Sequence, residues 1–181
     1  QLELERLQRS AINYTAHSDK HEKQWADIGI PRAEFLEEQY EIVVEHLEKR
    51  VKLGGRIDRI DVIETDAGVV GFLVVDYKTG RRGNHTKPAV ERMESLQLAV
   101  YALAAEHRLG DAKPLGLLYW LPLDDGPKLV SPKKTFVWPE YRRRLEEWLV
   151  TLAEHIRAGE FPLQPRHDDS CNYCEFQRMC R

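Results

Sequence analysis

The first 27 residues are polar and helix-prone, with Leu2, Leu4, Leu7, Ile12 and Trp25 recurring on one side and Gly29 and Pro31 punctuating the end. From residue 35 to 46 the period changes to two. Tyr40, Ile42 and Val44 alternate with glutamates, the mark of a half-buried strand. A turn near residues 48–50 leads into two segments rich in Val and Ile, 51–65 and 69–78, both read as strands. Helical spacing returns over 88–109, where Pro88 occupies the first turn, Leu96, Val100 and Leu103 share a face and Gly110 supplies the stop. Residues 115–121 form an apolar run of strand length, and 129–137 is its expected partner beyond a turn at Asp125 and Gly126. A last helix, 139–157, carries Tyr141, Leu145, Trp148, Leu149 and Leu152 on one face and ends at Gly159. Helix, three strands, helix, strands, helix describes an α/β domain around a mixed central sheet flanked by helices.

A length of 181 residues suits one compact domain with a substantial core. No apolar run approaches the roughly 18 residues of a membrane span, and the polar start is no signal peptide. The chain opens on Gln1 and not Met, as expected of a processed chain or a piece of something larger. A net charge of −3 argues against a protein that coats nucleic acid generally, yet leaves room for a local basic groove. All three cysteines, Cys171, Cys174 and Cys180, fall in the last eleven residues. An odd number packed so tightly suits a metal site better than disulfides and points to a reducing, cytoplasmic setting.

The richest stretch runs from Gly55-Arg56-Ile57-Asp58 to Asp76-Tyr77-Lys78-Thr79-Gly80. With Asp66-Ala67-Gly68 as a three-residue hairpin loop, Thr65 pairs with Val69 and Asp58 falls directly opposite Asp76. Their Cβ atoms would then be about 4.5–5.5 Å apart on one sheet face, with Lys78 projecting from the same face. Like charges so placed repel, and Phe72 and Val74 on that face deepen the problem by burial. A divalent cation removes it, because hard cations take carboxylate oxygens. Lys78 could then orient or help deprotonate a water at the ion. Asp61, three positions from Asp58, points to the other face and is the weaker candidate. An ordinary salt-bridged surface, with Asp58 on Arg56 or Arg59 and Asp76 on Lys78, is the competing reading. The apolar strand, the second Asp and the Thr-Gly that follows favour the metal site.

Gln97 and Tyr101 are four apart on one helix face, suited to holding a water, a lysine or a phosphate beside the acidic hairpin. Arg81, Arg82, His85 and Lys87 follow the Asp-x-Lys strand and could attract a phosphate backbone. At the end of the chain, Cys171-x2-Cys174-x5-Cys180 offers three thiolates to iron–sulfur or zinc, either of which needs a fourth ligand. His167 could complete a Cys3His zinc site, or a fourth Cys could lie upstream or on another chain.

Taken together, Gly-x-x-Asp (55–58), Asp-Tyr-Lys-Thr-Gly (76–80), Gln-x3-Tyr (97–101) and the terminal Cys-x2-Cys-x5-Cys resemble the PD-(D/E)XK nuclease domain of RecB-like exonucleases, most of all the AddB type with its iron–sulfur cluster. The resemblance implies a restriction-endonuclease-like nuclease core over 35–160, a helical segment 1–34 before it and an iron–sulfur motif over 161–181. It implies Mg²⁺ or Mn²⁺ on Asp58, Asp76 and the Tyr77 backbone carbonyl, with Lys78 as catalytic lysine and Gln97 and Tyr101 as an auxiliary motif. Cys171, Cys174 and Cys180 would be three of four ligands to a [4Fe–4S] cluster. Arg81, Arg82 and Lys87 would contact DNA. The implied activity is exonucleolytic cleavage of DNA, on single-stranded ends, by the C-terminal nuclease part of a helicase–nuclease in double-strand break repair and recombination. Two features depart from the family: no Cys precedes position 171, and the surroundings of His17 and His21 do not match the family's metal-binding His, whose role is not carried over. A non-cleaving DNA-binding scaffold and a zinc-stapled interaction domain are the alternatives.

Overall fold

A computed structural model describes residues 2–65, 68–78, 86–110, 112–122, 126–130, 137–161, 171, 172, 174 and 175. Five strands form one sheet in the order β1 (Pro31–His46), β2 (Lys49–Thr65), β3 (Gly68–Tyr77), β4 (Lys113–Leu121) and β5 (Gly126–Leu129). Every neighbouring pair is antiparallel except β3 and β4, which are parallel. A parallel pair needs a crossover, supplied here by α2 (Lys87–Glu91) and α3 (Gln97–Leu109). The expected α/β class, a mixed central sheet flanked by helices, is the architecture the chain adopts.

Alternation along the strands sorts side chains onto two faces. Ile60, Phe72, Val74, Leu117 and Tyr119 pack with Leu98 and Ala102 of α3 and Leu145 and Val150 of α4 (Trp138–Ala158). Ile63, Leu73, Val75, Leu118 and Trp120 form a second cluster with Trp25 of α1 (Leu2–Trp25) on the opposite face. Close apposition of β3 and β4 depends on Gly71, where a Cβ would stand 2.5 Å from the Lys113 carbonyl oxygen. Gly159 ends α4 in a left-handed conformation, with Glu160 N–H donating to His155 O and Gly159 N–H to Ile156 O. Among the described residues, no helix is long and apolar enough to cross a membrane.

β1 is an edge strand among the described residues. Its ladder with β2 shifts by one residue between Ala33 and Phe35, and Glu37 takes a left-handed φ of 53°. Of its sixteen residues, Glu34, Glu37, Glu38, Glu41 and Glu45 are acidic.

Four expectations are corrected. In α1 the leucine face is not the packed one: Leu4, Leu7 and Ile12 are exposed, while His21 and Trp25 are buried and Tyr14 stacks on Trp120. Tyr14, His21 and Trp25, spaced by seven and four, are the side that meets the sheet. The single helix over 88–109 is two helices, because Met93 adopts φ 58° and Glu94 and Ser95 donate their N–H groups to Ala89 O. The hairpin does not turn at Gly68, which belongs to β3 and pairs with Thr65; residues 66 and 67 lie outside the described residues. The partner of β4 begins earlier than expected, at Gly126, and residues 131–136 of the predicted strand 129–137 lie outside the described residues.

Candidate active site

The β2–β3 ladder carries a bulge at its turn end, where Glu64 faces Val69 and Ile63 faces Gly71, leaving Val70 as the extra residue. That insertion offsets the shorter turn, so Ile60 pairs with Val74 and Arg59 with Val75 in the register the acidic hairpin requires. Arg59 and Val75 are the last ladder pair. One step beyond stand Asp58 and Asp76, on the face shared by Ile60, Val74 and Phe72 and covered by α3. There the Asp58 side chain replaces a backbone partner, its Oδ2 accepting the Tyr77 N–H at 2.9 Å.

Asp76 is 1% exposed, and burying a carboxylate in this way requires a compensating charge. Lys78, two residues on, provides it with Nζ 2.6 Å from Asp76 Oδ2. The same ammonium donates to Gln97 Oε1 at 2.8 Å, and Gln97 Nε2 donates to the Tyr101 hydroxyl at 2.9 Å. Gln97 opens α3 and Tyr101 lies one turn later, so the helix presents both to the strand ends. Burial pushes the Tyr101 hydroxyl above its ordinary pKa; the Gln97 hydrogen bond opposes this, and the nearby Asp58 and Asp76 charges add to it. Tyr119 of β4 closes the floor: its hydroxyl and Ser95 Oγ lie 2.7 Å apart, and Lys78 Nζ is 5.9 Å from its ring centroid. Asp58, Asp76, Lys78, Gln97 and Tyr101 thus converge.

Sequence patterning offered Arg56 only as a salt-bridge partner of Asp58, and the structure pairs it with Glu37 instead. Arg56 shares the face of Asp58 by parity, its charge lowers the Tyr101 pKa, and its Nε lies 2.9 Å from Glu37 Oε2. The parity was readable; the proximity to α3 was not. Lys87 heads α2 and pairs with Glu91 at 3.6 Å, not with the site carboxylates. Thr79, Gly80, Arg81, Arg82 and His85 lie outside the described residues.

The profile of the PD-(D/E)XK nuclease superfamily matches residues 2–181. The chain belongs to that superfamily. It is also 24% identical, over an alignment of 211 residues, to a subunit of the ATP-dependent helicase/deoxyribonuclease of Lachnoclostridium phytofermentans. That match covers 78% of this chain and 18% of the relative, so the chain spans under a fifth of the relative's length. The crystal structure of SSO0001 superimposes with a TM-score of 0.43 at 20% identity, covering 81% of this chain and 59% of that one.

On the far side of this PD-(D/E)XK sheet, Asp61 faces away from the site, as its parity requires, and is fully buried. Its carboxylate accepts both Nε and Nη2 of Arg59, the latter at 2.8 Å, and lies 3.0 Å from His21 Nε2. Burial draws the Arg59 guanidinium down, but Asp61 more than offsets this and holds it above its ordinary value. Arg59 Nη1 also donates to Tyr14 at 2.8 Å and Tyr77 at 3.2 Å. Burial pushes the Tyr77 hydroxyl up to about 12, against the opposing Arg59 charge. His21 therefore serves this face and not the carboxylate site.

Among the described residues no group of three or more His, Cys, Asp and Glu side chains converges as a metal cage. The two carboxylates are nonetheless hard oxygen donors of the type Mg²⁺ and Mn²⁺ take, and the buried one is held in place beside a cation. The donor set fits such an ion. In the tail, Cys171 and Cys174 are free thiols joined by a backbone hydrogen bond, Cys174 N–H to Cys171 O at 3.3 Å. Cys180 and His167 lie outside the described residues.

Proposed function

We propose that this domain is a divalent-metal-dependent deoxyribonuclease, the nuclease part of a helicase–nuclease that trims DNA ends in double-strand break repair and recombination. Supporting this reading are the superfamily membership, the name of the bacterial relative and, above all, the Asp58–Asp76–Lys78–Gln97–Tyr101 cluster. Asp58, Asp76 and the Tyr77 backbone carbonyl would hold Mg²⁺ or Mn²⁺. Bound there, the ion would polarise the scissile phosphate and stabilise the charge that develops during in-line attack.

The rest falls to side chains of this chain. Lys78 presents a fixed ammonium to the phosphoryl oxygens, stabilising the transition state or orienting the attacking water. Gln97 holds that ammonium from the helix side, and Tyr101 holds Gln97, so the cation need not reorganise as the reaction proceeds. Arg56 stands at the exposed rim, where a phosphate backbone would meet it, and Arg81, Arg82 and Lys87 would extend the basic path. The substrate is DNA with single-stranded ends, delivered by a helicase domain or subunit in the cytoplasm.

The proposed organisation is a helical segment over 1–34, a nuclease core over 35–160 and a cysteine tail over 161–181. In the tail, Cys171, Cys174 and Cys180 would ligate a [4Fe–4S] cluster with a fourth ligand from outside this chain. Anaerobically purified protein should then be brown; a colourless protein containing zinc would replace the cluster with a zinc staple. The deciding experiment for the reaction is Asp76→Ala. It should abolish Mg²⁺-dependent cleavage of a single-stranded oligonucleotide while circular dichroism stays that of the parent chain. Undiminished cleavage by this variant removes the assignment.

A further inference from the structure

The two candidate metal-binding carboxylates stand one residue past the last rung of their ladder, so paired backbone does not fix the distance between them. What ties the strands together there is Tyr77. Its N–H reaches Asp58 on the site face, and its hydroxyl receives Arg59 Nη1 on the opposite face. Alternation makes this arrangement unavoidable: the neighbour of Asp58 is Arg59, and the residue between Asp76 and Lys78 is Tyr77.

Arg59 is itself immobilised. Asp61 grips it bidentately, Tyr14 accepts a further hydrogen bond, and its guanidinium lies 5.2 Å from the Trp120 ring centroid. Tyr77 packs 6.1 Å from the same ring, and the following Lys78 N–H donates to Trp120 O at 2.9 Å. Around them this face is held by apolar packing of Trp25, Ile63, Leu73, Val75 and Leu118. A buried guanidinium and carboxylate are seldom more stabilising than apolar residues of equal volume. Their concentration behind the site is therefore poorly explained by stability. It is well explained by geometry.

We propose that the Arg59–Tyr77 contact is a positioning clamp that sets the relation between the Asp58 and Asp76 carboxylates, and with it the affinity for the divalent ion, from the opposite face of the sheet. Arg59 and Tyr77 are positioning residues, since the Tyr77 side chain touches neither ion nor phosphate. The inference rests on the nuclease reading above and goes beyond it.

Tyr77→Phe tests the clamp because it removes one hydroxyl and leaves the ring on Trp120. Mn²⁺ binding to the DNA-free chain, measured by titration calorimetry, should weaken about three- to tenfold, the equivalent of one lost hydrogen bond. The Mn²⁺ concentration for half-maximal cleavage should rise by the same factor, with the maximal rate recovered at saturating metal. Arg59→Lys, which keeps a charge on Asp61 but shortens the reach to Tyr77, should behave alike and serves if the first variant folds poorly. A Tyr77→Phe chain that folds and binds Mn²⁺ as the parent does overturns the clamp alone. A parent chain that binds no Mn²⁺ overturns the nuclease reading and the clamp with it.

Discussion

Removing the Asp61 side chain is the sharpest probe of how this sheet is held. Asp61 is fully buried and accepts from three nitrogens: Nε and Nη2 of Arg59 and Nε2 of His21. Asp61→Ala leaves a guanidinium that is only 6% exposed with two tyrosine hydroxyls and an aromatic face in place of its counter-charge. Breaking a buried pair from one side costs about 3–5 kcal/mol, because the surviving charge stays desolvated. A chain of 181 residues has an unfolding entropy near 0.4 kcal/mol/K at its midpoint, so the thermal midpoint should fall by roughly 8–13 °C. Urea unfolding followed by tryptophan fluorescence measures the loss of free energy, and a thermal scan the midpoint, since Trp25 and Trp120 both sit in the affected cluster. The control is Arg59→Met with Asp61→Leu, which removes both charges and should recover most of the loss. The reasoning fails if the single variant loses less than about 1 kcal/mol, or if the double variant is as unstable as the single one.

Gln97→Ala removes the acceptor that holds Lys78 from the helix side; kcat should fall about tenfold with KM little changed, and a fall below about twofold in steady-state cleavage would take Gln97 out of the site. Gly71→Ala should destabilise by about 1–3 kcal/mol in urea unfolding, since its methyl would meet the Lys113 carbonyl and force β3 from β4. Burial pushes the Tyr141 hydroxyl up to about 12, where it donates to Val90 O, and an unfolded tyrosine ionises near 10.0. The folded chain therefore retains a proton that the unfolded chain gives up: stability is full below pH 10 and declines from pH 10 to about 12. Tyr141→Phe should flatten that decline in denaturation midpoints measured across the window.

Much of this arrangement was legible in the residues, and the exceptions have physical causes. Alternating apolar positions in 57–63 and 72–76 dictate which side chains of each strand share a face, so Asp61 behind Asp58 followed from parity, whereas the placement of Asp58 beside Asp76 also needed the register. The turn chemistry did not follow, because the bulge at Val70 and the earlier turn cancel, and two compensating shifts leave no trace in the register beyond them. The break between α2 and α3 was hidden for a different reason. A left-handed helix end is signalled by Gly, and here Met93 occupies the position. In α1, hydrophobicity pointed to the leucines, whereas the packed side consists of polar aromatics whose partner, Trp120, lies about a hundred residues away. Arg59, read from the sequence as a possible surface partner of Asp58, lies instead on the opposite face, buried and paired with Asp61. Of the tail, Cys171 and Cys174 are placed on one turn, and their ligand role stays an expectation.

The edge strand carries a consequence for assembly. A sixteen-residue strand at the edge of a sheet, as β1 is among the described residues, is a template for sheet growth between molecules, and β1 is spoiled for that purpose twice over. Its Glu34 bulge and left-handed Glu37 break the straight row of amides, and its five glutamates are charges of the kind that blunt an edge against pairing. Four of these glutamates are already held by cations, Glu34 by Arg32, Glu37 by Arg56, Glu38 by Arg108 and Glu41 by Lys52, so a second strand would have to break a mesh of ion pairs in order to dock.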